Sequence, residues 1–417
     1  MHPVSRTTSF NRRALSLGSP RASRPAAHQV WRDFKVVVAV GFSLTFLLVV
    51  SGSYFVVIPS LKSTFYGDNA SNVSESTGPC DVFSGSWVRV LDGSVPQYNA
   101  SECPFAERGF NCLGNGRTDQ DYLTWRWKPW NCDIMRFDVR LVLEWLRNKR
   151  VVFVGDSMSR TQWESLICLL MTGVEDKKSV YEVNGSIITK RIRFLGVRFS
   201  TFNFTIEFFR SVFLVEHGWT PRNVPKRVRS TVKLDKLDEI SHRWIGSDVL
   251  VFNTGHWWVP GKLFETGCYF QVGSSVKLGM SIPAAYRRAL ETWASWVNSA
   301  VDGTRTRVFF RTFEPSHWGD DNRTGRGCNL TRNPSQDPGG RDRHEFSVIA
   351  TEVAKTMTVP VTILGITPLS AYRNDAHVGT WTENPSIPDC SHWCLPGVPD
   401  MWNEILLSLL IRDGFPT

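Results

Sequence analysis

No charged residue falls between Val36 and Ile58, no cysteine precedes Cys80, and no segment of the chain repeats another. Each absence narrows the answer. Without an internal period of roughly 20–50 residues, solenoids and propellers are excluded. The uncharged stretch VVVAVGFSLTFLLVVSGSYFVVI, residues 36–58, measures about 34 Å as a helix, enough to cross a bilayer, and reads as a transmembrane helix. Negative charge is nearly missing ahead of it: Arg6, Arg12, Arg13, Arg21, Arg24, Arg32 and Lys35 face Asp33 alone. Seven cations against one anion put +6 of the formal +9 in this tail and leave +3 for the rest. The basic balance is therefore no argument for a nucleic-acid partner.

Only Lys62 lies close behind the apolar run. By the positive-inside rule the N-terminus is cytosolic and residues 59–417 lie on the other side, a type II topology. The alternative is a cleavable signal peptide ending near Ser51-Gly52-Ser53; the long apolar region and the lack of a clear A-x-A site argue against it.

What is present fits a lumenal or extracellular body. The N-x-S/T sequons at Asn69, Asn72, Asn99, Asn184, Asn203, Asn322 and Asn329 all lie beyond the apolar run. All nine cysteines lie beyond it too, as expected where disulfides form, and nine is odd, so at least one thiol is free or pairs between chains.

Residues 1–35, rich in Arg, Ser and Pro, read as a disordered cytosolic tail, and the polar residues 59–78 as a stem. From Cys80 to Cys132 the chain holds four cysteines, many Gly and Asn, and the cluster YLTWRWKPWNC. So short and loop-rich a segment is predicted to be a small lobe held by disulfides and clamped onto the larger body C-terminal to it. In that body the strand-like runs VVFV (151–154), VLVF (249–252), RVFFRTF (307–313) and VTILGI (361–366) alternate with stretches of helical spacing at 159–171, 284–300, 344–357 and 400–411. In the first of these, Trp163, Leu166, Ile167 and Leu170 fall at i, i+3, i+4 and i+7, one buried stripe. The alternation predicts an α/β fold with a mainly parallel sheet flanked by helices. Residues 181–215 break the rhythm with a period of two, which predicts an inserted antiparallel hairpin or a lid edge.

Where chemistry could sit is suggested by the stretch VVFVGDSMSRTQWESLICLL, residues 151–170. A buried strand ends at Gly155-Asp156-Ser157 and a helix begins at once, so Ser157 stands at the carboxyl edge of the sheet, where such folds bind ligands. The helix N-terminus favours negative charge developing beside it. Two readings stay open: Ser157 is a nucleophile, or Asp156 or Ser157 merely caps the helix. The block is not the usual G-x-S-x-G elbow, since Ser159 stands where a small glycine-like residue belongs.

A partner base is offered by PDCSHWCLPGVPDMWNE, residues 388–404, where Asp389 lies three places before His392 and can hold its imidazole. The same residues could be a surface capping pair, or a metal site of Cys390, His392 and Cys394; in an oxidising lumen the cysteines are expected in disulfides and no metal is expected. After the second strand comes FNTGHWWVP, residues 252–260. Asn253 either lends an amide N–H to an oxyanion hole, beside the Ser157 backbone N–H, or caps a turn. His256, next to Trp257 and Trp258, is read as a substrate-wall residue. Trp257, Trp258, Trp318, Trp381 and Trp393 are candidate sugar-stacking walls, since indoles pair a flat apolar face with a polar edge.

Taken together, GPCDVFSGSWV, YLTWRWKPWNC, VGDSMSRTQWESLICLL, FNTGHWW and DCSHWCLPGVPDMWNE, in that order behind an apolar anchor, resemble the plant trichome birefringence-like family, polysaccharide O-acetyltransferases related to GDSL/SGNH serine esterases. The resemblance spans about residues 79–412. It implies a family-specific disulfide-rich lobe over 79–133 and an esterase-like catalytic domain over 134–417, with Ser157 as nucleophile, His392 as general base and Asp389 orienting it. It also implies the pairings Cys80–Cys132, Cys103–Cys168, Cys112–Cys394 and Cys328–Cys390, with Cys268 free. The implied protein is a single-pass Golgi enzyme anchored in the membrane by residues 36–58, acting on a cell-wall polysaccharide. It needs no cofactor beyond an acetyl donor, either acetyl-CoA or a lumenal acetylated intermediate. The block after the second strand departs from the G-x-N-D of SGNH esterases at large. The competing readings are an acetylesterase with the same triad and a non-catalytic glycan-binding protein; no motif sets the acceptor polymer or the oligomeric state.

Overall fold

The computed structural model describes residues 80–90, 98–319 and 327–414, all within one compact unit, 77–417. The tail, apolar run and stem expected over residues 1–78, and the sequons at Asn69, Asn72 and Asn322, lie outside the described residues. Among the described residues no helix is long and apolar enough to cross a membrane. The sequon residues Asn99, Asn184, Asn203 and Asn329 are all exposed.

In chain order, β1 (Gly85–Arg89) and β2 (Trp125–Pro129) pair antiparallel in the N-terminal segment. Helix α1 (Val139–Trp145), capped by Asp138, leads into β3 (Arg150–Gly155) and α2 (Ser157–Met171). Next come strands β4 (Val180–Glu182), β5 (Phe194–Phe199), β6 (Phe204–Arg210), β7 (Val215–Trp219), β8 (Ser230–Leu237) and β9 (Val249–Phe252). After β10 (Cys268–Val272) and β11 (Ser275–Lys277) come α3 (Ile282–Ala300), β12 (Arg307–Arg311), β13 (Trp318–Gly319), β14 (Gly327–Cys328) and α4 (Glu345–Lys355). The last elements are β15 (Val361–Leu364), α5 (Ile366–Ala371), β16 (His377–Gly379), β17 (Asp389–Trp393) and α6 (Val398–Asp413).

The central sheet has the order β15-β12-β9-β3-β6-β5-β4. Its first five strands run parallel, β5 pairs antiparallel with β6, and β4 pairs antiparallel with β5. Period-two alternation builds a core on each face. Val151, Phe153, Val249, Val251 and Phe309 join one apolar cluster with α2 and α6, whereas Val152, Val154, Leu250, Phe252, Val308 and Phe310 join the other with α3 and α4. A strand buried on both faces has to be apolar at every position, which is why these runs carry almost no charge.

The segment 181–215 is indeed a hairpin, but it does not form a lid. Strand β6 pairs parallel with β3, and β5 pairs antiparallel with β6, so the hairpin extends the central sheet. Its alternating pattern differs from the uniform apolar runs because it lies toward the edge. A second, mixed sheet of order β11-β10-β8-β7 covers part of the molecule beside it.

Helix α2 also departs from expectation. The pattern predicts one buried stripe, yet every residue from Met158 to Met171 is buried, Arg160, Gln162 and Glu164 included. The N-terminal lobe explains this by covering the face that would otherwise meet water. Its residues Val82, Tyr98, Phe105, Phe110 and Trp127 belong to the same apolar cluster as α2 and α6. Cys80–Cys132 closes the lobe on itself, Cys103–Cys168 ties it to α2, and Cys112–Cys394 ties it to the chain after β17. Cys328–Cys390 joins β14 to β17, and Cys268 is free and buried. A lobe this small could not bury enough surface alone; the staples and the shared core make it part of the domain.

Candidate active site

The site begins where β3 stops. Gly155 is its last residue, and a Cβ there would lie 1.9 Å from Asn253 Oδ1 and 2.5 Å from the Asn253 carbonyl oxygen. Only glycine lets the two strand ends approach so closely. Asp156 then takes the N-cap position of α2 with extended backbone, its Oδ1 accepting from the Met158 N–H at 3.0 Å and from Asn253 Nδ2 at 2.9 Å. Burial alone would raise the Asp156 pKa, but His256, the Asn253 amide, Arg311 and the Met158 N–H outweigh it and hold the carboxyl below its usual value. Asp156 is thus the cap, and Ser157, half-buried in the first turn, keeps its hydroxyl free for other work.

That hydroxyl meets His392. Ser157 Oγ lies 2.7 Å from His392 Nε2, and His392 Nδ1 lies 2.7 Å from Asp389 Oδ2. The other carboxylate oxygen of Asp389 accepts from the backbone N–H groups of Ser391 (3.0 Å) and His392 (2.9 Å), a tight loop that fixes the carboxylate under the ring. Burial again opposes ionisation of Asp389, but His392 and these N–H donors win and hold its carboxyl well below the usual range. An ionised Asp389 keeps a proton on Nδ1 and leaves Nε2 basic toward Ser157. The first-turn N–H of Ser157 has no helical carbonyl to meet, which leaves it available to an oxyanion.

Two elements far apart in sequence steady His392. Phe110 of the lobe stacks on its ring, centroids 5.3 Å apart and planes at 25°, while the Phe110 carbonyl accepts from the Leu395 N–H at 2.8 Å. From behind, His377 Nδ1 bonds the His392 carbonyl at 2.9 Å. Cys390 and Cys394, which bracket the histidine, are disulfide-bonded to Cys328 and Cys112. They act as staples and have no thiolate to give a metal.

The structure revises several sequence expectations. Asn253 is buried with one amide hydrogen committed to Asp156, so its evident work is to hold the strand-to-helix turn. His256 is not a wall: its side chain is 10% exposed, its Nε2 bonds the Glu314 carbonyl at 3.0 Å, and its ring stacks on Phe313. Burial lowers its pKa to about 4, so it is neutral at pH 7. Beneath it, buried Glu314 is pushed up to about 7 by burial despite its ion pair with Arg311 at 3.0 Å. Trp258 and Trp393 are core residues, 1% and 0% exposed, the first bonding Thr254 Oγ1 and the second stacked on His377. Adjacent residues on a turn face opposite ways, and only Trp257 of the Trp257–Trp258 pair is left open. Trp318 stays at the site's rim, its Nε1 donating to Ser391 Oγ at 3.3 Å. Trp381 is half-buried beneath the Arg117 guanidinium, 4.4 Å from its ring centroid. Sequence reasoning did not single out Phe110, Arg210 or Lys262; none lies in a motif, and only the fold brings them to this edge.

Residues 134–409 match the model of the GDSL/SGNH-like acyl-esterase family found in Pmr5 and Cas1p, and residues 78–133 match the PMR5 N-terminal domain. The chain belongs to this family. Among curated relatives of this acyl-esterase family, trichome birefringence-like 7 of Arabidopsis thaliana is 62% identical over 401 residues, 95% of this chain and 88% of that protein. Trichome birefringence-like 9 of the same plant is 41% identical over 391 residues, 91% of this chain and 94% of that protein. Trichome birefringence-like 6 is 43% identical over 340 residues, 80% and 71% of the two chains. Acyl-ester chemistry is thus the family's description, and a serine, histidine and aspartate in hydrogen-bonded sequence are what such chemistry needs.

Proposed function

We propose that the protein transfers acetyl groups to hydroxyls of a plant cell-wall polysaccharide by double displacement. The observation that carries this reading is the unbroken chain Ser157 Oγ, His392, Asp389, with both contacts at 2.7 Å. In the first half, Ser157 Oγ attacks the acetyl carbonyl carbon of the donor and its proton passes to His392 Nε2. The donor's leaving group takes that proton as it departs, and the acetyl group stays on the serine. In the second half, His392 takes the proton of a sugar hydroxyl, whose oxygen attacks the acetyl-serine; the proton then returns to Ser157 Oγ. The negatively charged oxygen of each tetrahedral intermediate faces the Ser157 N–H at the start of α2.

Whether the outcome is transfer or hydrolysis depends on which nucleophile arrives first. Water is present at tens of molar, whereas a well-oriented bound hydroxyl acts as if at ~10⁵–10⁸ M, so a glycan held in place wins. In this reading residues 36–58 anchor the protein in the Golgi membrane with the catalytic body lumenal, and the acetyl donor is acetyl-CoA or an acetylated lumenal intermediate.

The test compares the purified full chain with Ser157→Ala, each given an acetyl-ester donor surrogate and a panel of deacetylated wall oligosaccharides. Mass spectrometry quantifies acetylated glycan and free acetate. Acetyl gain on a glycan, abolished in the variant, is the expected result. Serine-dependent acetate release with every glycan unmodified would make the protein an esterase instead.

A further inference from the structure

Strand β6 ends beside the serine. Arg210, its last residue, pairs in register with Gly155, and the Ser211 N–H bonds the Gly155 carbonyl at 2.9 Å. From Arg210 a groove of about 450 Å³ runs along β7, past His217 to Trp219. Trp219 is 90% exposed, an indole with nothing covering it among the described residues. At the other end of the groove the Arg210 guanidinium carbon lies 5.4 Å from the Trp257 ring centroid, and Lys262 Nζ lies 4.7 Å from the same centroid. Trp257 is thus a half-open indole with two cations set over its ring.

The groove is lined by three cations, Arg193, Arg210 and Lys233, and three anions, Glu216, Asp238 and Glu239, but they are not paired one to one. Lys233 pairs with Glu216, and Arg193 pairs with Asp238 and Glu239. Arg210 and Lys262 form no ion pair among the described residues; Lys262 donates only to the His256 carbonyl at 3.0 Å. Both pKa values are lowered, chiefly by burial, with Asp156 opposing the shift in each case. His217, lowered by burial and by Arg210, adds no charge at neutral pH. A half-buried guanidinium with an indole beside it but no carboxylate keeps part of its desolvation cost, and a carboxylate meeting its planar fork would offset that cost with paired hydrogen bonds.

We propose that Arg210, Lys262 and Trp257 form an acceptor subsite beside Ser157 that binds a uronic acid residue of the polysaccharide. The cations set over the indole take the carboxylate, and the part of the indole they leave open packs against the sugar ring. The groove toward Trp219 holds neighbouring sugars of the same chain. An open track ending in an exposed indole suits a run of sugar rings better than a compact acyl donor. The acceptor is then an acidic polymer, a choice that rests on the transferase reading but is tested by binding alone.

The experiment uses the full chain carrying Ser157→Ala, so that no turnover intervenes. Calorimetry compares a galacturonic acid hexamer with the same hexamer after reduction of its carboxyls to alcohols. The native hexamer is expected to bind at least about tenfold more tightly than the reduced one. Adding Arg210→Gln should remove about 10- to 100-fold of affinity for the native hexamer and none for the reduced one, the loss of a charge-assisted pair. Arg210→Lys, which keeps the charge without the fork, should fall between them. Equal binding of the two hexamers, or no effect of Arg210→Gln, overturns the proposal. So does competition by coenzyme A that weakens in step with the hexamer in Arg210→Gln, which would assign the cations to the donor. If the full chain releases acetate without modifying glycans, the transferase reading fails while this binding result still stands or falls by itself.

Discussion

The two halves of the proposed catalytic machinery are held in place by different physics. The serine turn is built from regular structure: a strand buried on both faces, a glycine that admits Asn253, and a capping Asp156 that starts α2. The histidine loop has little of this. Among the described residues strand β17 pairs only with the three-residue β16, with an irregular register, and its position comes from two disulfides and the stacked Phe110. A nucleophile can be placed by a fold that forms for its own reasons, whereas a base delivered 235 residues later in the chain has to be fastened.

That contrast can be broken or sharpened by substitution. The largest effect belongs to the step common to both halves. Asp389→Asn keeps the loop's size but releases the tautomer, and kcat should fall about 10³–10⁴-fold with the fold intact. A loss under tenfold would mean that the carboxylate does not orient His392.

Next comes the fastening itself. Cys112→Ser with Cys394→Ser should lower stability by about 2–5 kcal/mol and kcat by about 10²-fold, since a misplacement of about 1 Å costs that much. Hydrogen exchange should then rise across residues 388–394 while the β3–α2 turn keeps its protection. Equal loosening of both would erase the distinction. Phe110→Leu is gentler. It keeps most of the apolar volume, so stability should change by less than about 1.5 kcal/mol. Without the stacked ring His392 is held less firmly, and kcat should drop roughly three- to tenfold; an unchanged kcat would reduce Phe110 to packing.

The smallest effect tests a tie made without covalent bonds. Asp400 in α6 accepts from Tyr98 of the lobe at 3.1 Å and from Ser165 of α2 at 2.5 Å. Burial pushes its carboxyl from 3.8 up to about 7. A raised folded pKa means that this group's stabilisation is complete below about pH 4 and is lost as pH rises through about 7. Asp400→Asn should therefore flatten part of the fall in melting temperature between about pH 4 and 7. An unaltered slope would show that the carboxyl does not titrate in that window.

The same contrast governs what the sequence made legible. Strands 151–154 and 249–252 and the four long helices were readable because burial on fixed faces imposes a period. Ser157, Asp389 and His392 were readable because their motifs are local. The place of β6 in the central sheet was not, since alternation reports only that one strand face is buried, not which neighbour it joins. Nor could spacing separate Trp257 from Trp258, adjacent residues sent to opposite sides by one turn. Phe110 and Arg210 show the remaining limit: a phenylalanine in a loop and an arginine at a strand end acquire meaning only from what the fold sets against them.

Cys112 and Cys394 are 282 positions apart, and that separation is also an interval of time. At about 5–20 residues per second, the first thiol waits roughly 14–56 s for its partner to leave the ribosome. During that interval the growing chain already owns its serine, strand and helix but has no histidine to activate them. On the proposed mechanism competence arrives last, with His392 and the disulfide that fastens its loop, so a chain still short of residue 392 has a serine with no base beside it.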